Sequence, residues 1–346
     1  MAKPKSIVIV GGGLAGLTLG IGLRQRGVPV TIHEAGSYPR HRACGEFISG
    51  RGQATLARLG LREVFTAAGA VRAETAAFFS ETKSTAPRLL PAAAICLSRF
   101  TLDAALAKIF HGLGGELIEG SRFTQDFGEG IVCATGRRLQ ADETGARWFG
   151  LKIHARNVEL IADLEMHISP RGYVGLCKIN DVAVNVCGLF RKRAGEMGGA
   201  VNGRDLLRGQ PGSPLQQRLG AAQFEDNSFC AIAGLSLQPQ QAAARAEICV
   251  GDAITMTPPV TGNGMSMAFE SAEIAVAPLA AWGRGEIAWA EAHKKIAHDC
   301  DATFARRLAW ASRLQRLVLV PAIQNSFVTL AARSDWFWRL AFARTR

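Results

Sequence analysis

Between residues 5 and 34 the spacing of apolar positions changes rhythm twice. Ser6 to Val10 is a continuous β-branched run of strand length, Leu14 to Arg26 spaces its apolar residues for a helix that Gly27 can end, and Val28 to His33 is a second short strand. Strand, glycine turn, helix and strand in that order predict a βαβ unit with parallel strands. Ser98 to Phe110 returns to helical spacing through Phe100, Leu102, Leu106, Ile109 and Phe110. Two stretches have a different texture, Val71 to Leu97 and Arg147 to Leu237. They contain strand-like runs at Trp148 to His154, Tyr173 to Ile179 and Val182 to Phe190, and Lys178-Ile179-Asn180-Asp181 supplies the turn of a hairpin. Beyond them, Glu247 to Val250 reads as a strand, Met265 to Trp282 as a long helix and Ile287 to Leu319 as largely helical.

The pattern predicts an α/β chain with a Rossmann-like, parallel-sheet nucleotide-binding domain over residues 1–70, 98–146 and 246–284. An antiparallel-sheet substrate domain, residues 71–97 and 147–245, is inserted into it, and 285–346 is a C-terminal helical segment. With 346 residues, 48% apolar and 20% charged, the chain has the material for two interleaved domains and is not disordered.

A formal charge of +11 suits phosphates, acidic lipids or nucleic acid. No RNP, zinc-finger or basic-region pattern accompanies it and the arginines are scattered, so nucleic acid is not expected as a partner. The eight cysteines stand singly, without a CxxC pair or a cysteine-histidine spacing of the zinc type, which predicts no metal site and a reducing, cytoplasmic location. Lys3 and Lys5 before an apolar run imitate a signal peptide, but Ile7 to Val10 is only strand-length. Leu317 to Leu330, broken by Pro321, Gln324 and Asn325, falls short of the roughly 20 apolar residues that a membrane span needs.

Gly11-Gly12-Gly13-Leu14-Ala15-Gly16 places GxGxxG between the first strand and helix. Gly11 serves the tight turn, Gly13 a close backbone approach to a pyrophosphate, and Gly16 the packing of helix on strand, with the helix N-terminus facing phosphate charge. Glu34 ends the second strand about twenty residues on, where a carboxylate accepts hydrogen bonds from a ribose without a 2′-phosphate. Far along the chain Gly251-Asp252 follows a strand, and Pro258, Gly262, Asn263 and Gly264 lead into the helix of Met265. That second glycine-bearing helix N-terminus suits the anionic edge of a flavin, and Asp252 can accept from a ribityl or ribose hydroxyl.

With both motifs present, the chain resembles over nearly its full length the flavoprotein family that joins para-hydroxybenzoate hydroxylase-like monooxygenases to geranylgeranyl reductase-like enzymes. The resemblance implies FAD as cofactor, bound by Gly11, Gly13, Leu14, Ala15, Gly16, Glu34, Gly251, Asp252, Gly262, Gly264 and Met265, and NAD(P)H as electron donor. It also implies that Arg99 lies near the FAD phosphates and that Arg42 contacts the flavin. Ala134-Thr135-Gly136-Arg137 stands where the family has an Asp-Gly motif; Thr135 replaces the aspartate, and Gly136 can still approach the cofactor. Cys44-Gly45-Glu46-Phe47 is similar to the Cys-Gly-Gly segment of the reductases, and Gly172-Tyr173-Val174-Gly175 with Asn185-Val186-Cys187-Gly188 to their substrate sheet.

Cys44 is thereby a proton donor, a polar cavity wall or a buried structural thiol. Glu46 is an acid or base, or a solvated carboxylate, and Phe47 and Tyr173 are candidate substrate contacts. The expected activity is NAD(P)H-dependent flavin monooxygenation of an apolar aromatic, polyketide or lipid-like substrate, with reduction of a carbon-carbon double bond as the alternative. Trp336-Phe337-Trp338 mimics the Trp-x-Trp of flavin halogenases without the following Ile-Pro, so halogenation is a minor reading, as is a non-enzymatic FAD-binding protein. From Arg313 onward, apolar residues such as Leu317, Leu330, Trp336 and Phe342 are interleaved with Arg316, Arg333, Arg339 and Arg344. That segment either packs on the core or makes peripheral contact with an anionic membrane.

Overall fold

The computed structural model describes residues 4–137, 147–192 and 202–345. The first strand, β1 (Ile7–Val10), and β2 (Val30–His33) flank α1 (Leu14–Arg24) in sequence and pair in parallel. Then follow β3 (Phe47–Ile48), α2 (Arg51–Arg58), α3 (Arg62–Ala67), β4 (Val71–Phe79), β5 (Arg88–Cys96), α4 (Arg99–Gly112), β6 (Glu116–Ile118) and β7 (Ile131–Cys133). The second insert holds β8 (Arg147–Arg156), β9 (Leu164–Ser169), β10 (Gly172–Lys178), β11 (Val184–Lys192), α5 (Gly203–Arg208), α6 (Pro214–Leu219) and β12 (Gln223–Leu235). The long helices α7 (Gly264–Gly283), α8 (Trp289–Val318), α9 (Pro321–Arg333) and α10 (Asp335–Thr345) complete the chain.

The parallel sheet runs β6-β2-β1-β7. Its core joins β1 and β2 to α1, α4 and α7, with Ile7, Ile9, Leu17, Ile21, Ile32 and Phe110 fully buried. Ile7 and Ile9 face this helical layer, while Val8 on the alternate face of β1 is only half-buried. Glu247 to Val250, expected as a strand, contributes only an isolated parallel bridge, Cys249 to Cys133; the hydrogen bonds Cys133 N–H to Ile248 O and Val250 N–H to Cys133 O hold it there.

The second sheet runs β12-β8-β11-β10-β9-β4-β5-β3. The hairpin expected at 178–181 is present between β10 and β11, closed by the Ile179 amide on Ala183 O and by the Asn180 side chain accepting from the Val182 and Ala183 amides. The inserted sheet is antiparallel as expected except at one pairing, where β4 meets β9 in parallel. These two strands come from different inserts, and the chain passes through the first domain between them, so no short turn constrains their direction. β3, within the stretch assigned to the nucleotide-binding domain, adds itself to this sheet beside β5.

One face of the sheet is covered by α5 and α6, which bury Leu151, Ile153 and Ala155 of β8 against Leu207, Leu215 and Leu219. The other face turns toward the nucleotide-binding domain. Helices α8 to α10 close the remaining side: Trp338 Nε1 donates to Leu89 O at 2.9 Å, Ser80 Oγ and Asn325 Oδ1 lie 2.6 Å apart, and Arg88 pairs with Asp335. No helix among the described residues is long and apolar enough to cross a membrane.

Candidate active site

The glycine turn after β1 is shaped by three different demands. Gly11 has a φ of 109°, and a side chain there would run into the Ala134 carbonyl; a side chain at Gly16 would strike the Gly11 carbonyl. Gly16 is therefore a packing position and does not line the cavity. Gly13 has an ordinary extended backbone, yet a Cβ there would meet nothing within 4 Å. It faces open space at the N-terminus of α1, which carries no side-chain cap and no acidic residue in its first turn. Unpaired amides and helix dipole at that point suit an anion.

Glu34 ends β2 almost completely buried. One carboxylate oxygen accepts from the Gly12 amide and the other from the Gly36 amide, both at 2.9 Å; Arg40 pairs with it, and Arg42 stands at 3.4 Å. Burial alone would raise this carboxyl, but the Gly36 amide, the two arginines and the Gly12 amide outweigh it and hold it below the ordinary range. Glu34 thus braces the glycine turn as well as facing the cavity, a part that its spacing does not reveal.

Gly251 adopts a φ of 64°, which brings the turn onto Ala15, and Asp252 opens on the same cavity. The Asp252 side chain is exposed into this cavity, and desolvation by the surrounding walls pushes its carboxyl up to about 6 against the pull of Arg99 and Arg137. Gly262, also left-handed at φ 64°, leaves the room that the Phe47 ring fills. The first turn of α7 again lacks a side-chain cap and an acidic residue, Gly264 faces open space, and Met265 lines the cavity beside it. Asn263 is 2% exposed, and its Oδ1 has no hydrogen-bond partner. Two uncapped helix ends, an orphaned buried oxygen and space where two glycine side chains would be fit a dinucleotide bearing a flavin.

Arg99 begins α4 and forks onto Asp103 at 2.7 Å on both nitrogens; Arg42 Nε lies 3.7 Å from the same carboxylate. Both arginines, with Arg40 and Arg137, line the nucleotide end of the cavity, as does Gly136 with its φ of 78°.

The cavity encloses about 1090 Å³, more than the usual range for small-ligand sites of roughly 300–1,000 Å³. It continues from the glycine turn under the second sheet to an apolar end bounded by Leu189, Ile232, Phe327, Phe337, Trp338 and Phe342. Phe47 and Tyr173 line it as well, although the Tyr173 hydroxyl is already engaged, donating to Gln315 Oε1 at 3.3 Å.

Cys44 and Glu46 stand in the wall where the two domains meet. Burial raises the Cys44 thiol, with Arg99 nearby opposing. The loop is clamped by the sheet: Asn185 Nδ2 donates to Cys44 O at 2.9 Å and Cys177 Sγ to Gly45 O at 3.2 Å. Glu46 is fully buried, so the reading of a solvated carboxylate is corrected. It has a φ of 58°, a left-handed conformation that costs a residue with a side chain about 1–3 kcal/mol and persists only where the surroundings enforce it.

Those surroundings are three elements. The Arg99 amide at the start of α4 donates to Glu46 Oε1 at 2.8 Å, His154 Nε2 meets Oε2 at 2.7 Å, and Lys152 Nζ lies 3.6 Å from Oε1. Lys152 Nζ is also 3.2 Å from His41 Nδ1. Sequence reasoning missed Lys152, His154 and His41. The available signal was the alternation in β8, where Lys152 and His154 share one face and Leu151, Ile153 and Ala155 the other; a polar face on a strand reads as solvent until the opposing domain is known. Folding also brings Cys133, Glu247 and Cys249 together, with one ligand atom of each within 4.8 Å of the others, a grouping their spacing in sequence conceals.

Residues 5–149 match the family described as the FAD binding domain. No curated protein sequence matches the chain significantly. Among solved structures, the flavin-dependent brominase Bmp2 superposes with a TM-score of 0.75 at 17% identity, over 97% of this chain and 92% of that one. PqsL, a probable FAD-dependent monooxygenase from Pseudomonas aeruginosa, gives 0.70 at 15% identity over 93% and 99%, and the halogenase PltM 0.72 at 14% over 99% and 86%. At these identities the likeness establishes a shared fold.

Proposed function

We propose that this chain, whose residues 5–149 match the FAD binding domain family, is an FAD-dependent monooxygenase that takes electrons from NAD(P)H and acts on an apolar aromatic, polyketide or lipid-like substrate. One observation carries this reading: the nucleotide end and an aromatic-lined end belong to a single cavity of about 1090 Å³, with Cys44 and Glu46 in the wall between them. The fold is shared with proteins named as monooxygenases and halogenases.

In this reading Gly13 and the first turn of α1 hold the pyrophosphate, Glu34 and Asp252 accept from the cofactor's hydroxyls, and the first turn of α7 meets the flavin. Bound FAD supplies two-electron chemistry and the activation of O2. The chain's own residues orient the substrate against the sheet, exclude water with α8 to α10, and handle protons at Glu46. The position of Cys44 in the wall favours a second reading, reduction of a carbon-carbon double bond. Trp336 of the Trp-Phe-Trp segment is 71% exposed while Phe337 and Trp338 border the cavity, so the segment forms a cavity wall without presenting its first tryptophan to a substrate.

The test is mass spectrometry of products from the holoenzyme given NADH or NADPH, with and without O2, over a panel of apolar aromatics and polyenes. An added oxygen that requires O2 supports monooxygenation. Two added hydrogens without O2 overturn it in favour of the reductase, and an added halogen in the presence of halide overturns it in favour of halogenation.

A further inference from the structure

Glu46, Lys152, His154 and His41 come from two segments far apart in sequence and meet at the junction of the two domains. Glu46 and His41 line the cavity, whereas Lys152 and His154 stand behind them, buried under the sheet. The contacts form a line, His41 Nδ1 to Lys152 Nζ at 3.2 Å and Lys152 Nζ to Glu46 Oε1 at 3.6 Å, with His154 Nε2 fixing the other carboxylate oxygen at 2.7 Å. The His41 ring stacks on Phe100 at 4.6 Å, and Phe100 is partly exposed, so the line begins at the protein surface.

We propose that His41, Lys152 and Glu46 form a proton path from solvent to the cavity, with His154 as the positioning residue that holds the Glu46 carboxylate. The proposal rests on the oxidoreductase assignment and holds for either branch, because each consumes one proton. Oxygenation converts substrate, O2, a hydride equivalent and a proton into product and water, and double-bond reduction adds a hydride and a proton. Each hop moves one proton. Lys152 gives its proton to Glu46 Oε1, Glu46 gives it to the acceptor in the cavity, and His41 passes a proton from solvent to the Lys152 amine, so the cluster ends with its initial charge.

Burial, with Lys152 and His154 beside it, pushes the His41 imidazole down to about 4, which suits a group that holds a proton only in passing. The same contacts also bolt the sheet to the first domain, and a purely mechanical bolt has no need of a partner at His41.

The experiment uses the flavin-loaded full chain and the variants Lys152→Met, His41→Phe, His154→Phe and Glu46→Gln. With flavin content and melting temperature kept, Lys152→Met and His41→Phe should lower kcat roughly 100-fold at little change in KM. The solvent deuterium isotope effect should rise, and methylamine should partly restore Lys152→Met. Should Lys152→Met fail to fold, His41→Phe, at the partly exposed end of the line, carries the test. A readout independent of turnover is the infrared carboxylate band that disappears in Glu46→Gln. The small shift of this band on transfer to D2O reports deuteration of the Lys152 ammonium beside it; this exchange should slow in His41→Phe and its signature vanish in Lys152→Met, and the band position should shift in His154→Phe. Unchanged exchange, or activity lost without an isotope effect or rescue, overturns the path and leaves the bolt. Because exchange needs no substrate, it decides the path even if the product assay finds neither oxygenation nor reduction.

Discussion

Replacing Gly13 by valine puts an isopropyl group into space that no protein atom occupies within 4 Å of the Cβ position. The φ of −78° at this position is one that valine adopts without strain. The cost to the cofactor-free fold is therefore confined to a poorer helix N-cap, about 1 kcal/mol, or roughly 2 °C in Tm for a chain of this size. The cost to FAD is larger. If the side chain displaces the pyrophosphate from two amides at the start of α1, two charge-assisted hydrogen bonds of about 1.5–3 kcal/mol each are lost, which weakens Kd by roughly 10² to 10⁴-fold. Gly16→Val is the contrasting control, since its side chain would strike the backbone at Gly11 and the fold itself should fail. Flavin absorbance after desalting, fluorescence titration with FAD and thermal melting of the cofactor-free protein separate the two effects. Wild-type flavin affinity in Gly13→Val, or a loss of Tm as large as that of Gly16→Val, would refute the assignment of this turn to the pyrophosphate.

If Asp252 accepts a cofactor hydroxyl as a carboxylate, FAD affinity should decline as pH falls through about 6, where that carboxyl gains its proton; titrations in Asp252→Asn should lose this step. Glu270 and Arg307 form a buried forked pair at 2.6 and 2.9 Å, so Glu270→Ala should destabilise by roughly 3–5 kcal/mol in urea unfolding, while replacing both with apolar residues of similar size should cost far less. For the membrane contact proposed for the C-terminal segment, the structure advises against truncation, because Phe337, Trp338 and Phe342 form the cavity wall. Outward-facing Leu330 and Trp336 are the better probes: Leu330→Glu with Trp336→Glu should abolish salt-sensitive co-sedimentation with anionic vesicles while retaining FAD, and equal sedimentation would end the proposal.

The glycine turn and Glu34 were legible because their chemistry is local, set by a strand, a helix and the residue at the end of the next strand. Asp252 and α7 were legible for the same reason at the second helix end. What escaped was settled by pairing across long distances. β4 meets β9 in parallel only because the chain crosses the first domain between them, and no run of residues announces that. Lys152 and His154 occupy the polar side of an alternating strand and would have been placed in water, yet both are buried because that face closes on the loop of Glu46. Glu46 was recognised as chemically interesting from its neighbours in sequence, but its left-handed backbone and its three partners belong to the assembled fold.

The pairing of β4 with β9 also bears on how this scaffold can be re-engineered. The roof of the cavity is a single sheet assembled from two separate lengths of chain, each of which leaves an unpaired edge when the other is missing. A chimera that grafts only residues 147–235 from another protein would carry a sheet with no matching β4, and one that grafts only 71–96 would leave β9 unmatched. Changing the selectivity of such a chamber by recombination therefore calls for transplanting both lengths together, with the 41–47 loop on which the roof is latched. Exchanges of one piece should come out of the cell as inclusion bodies.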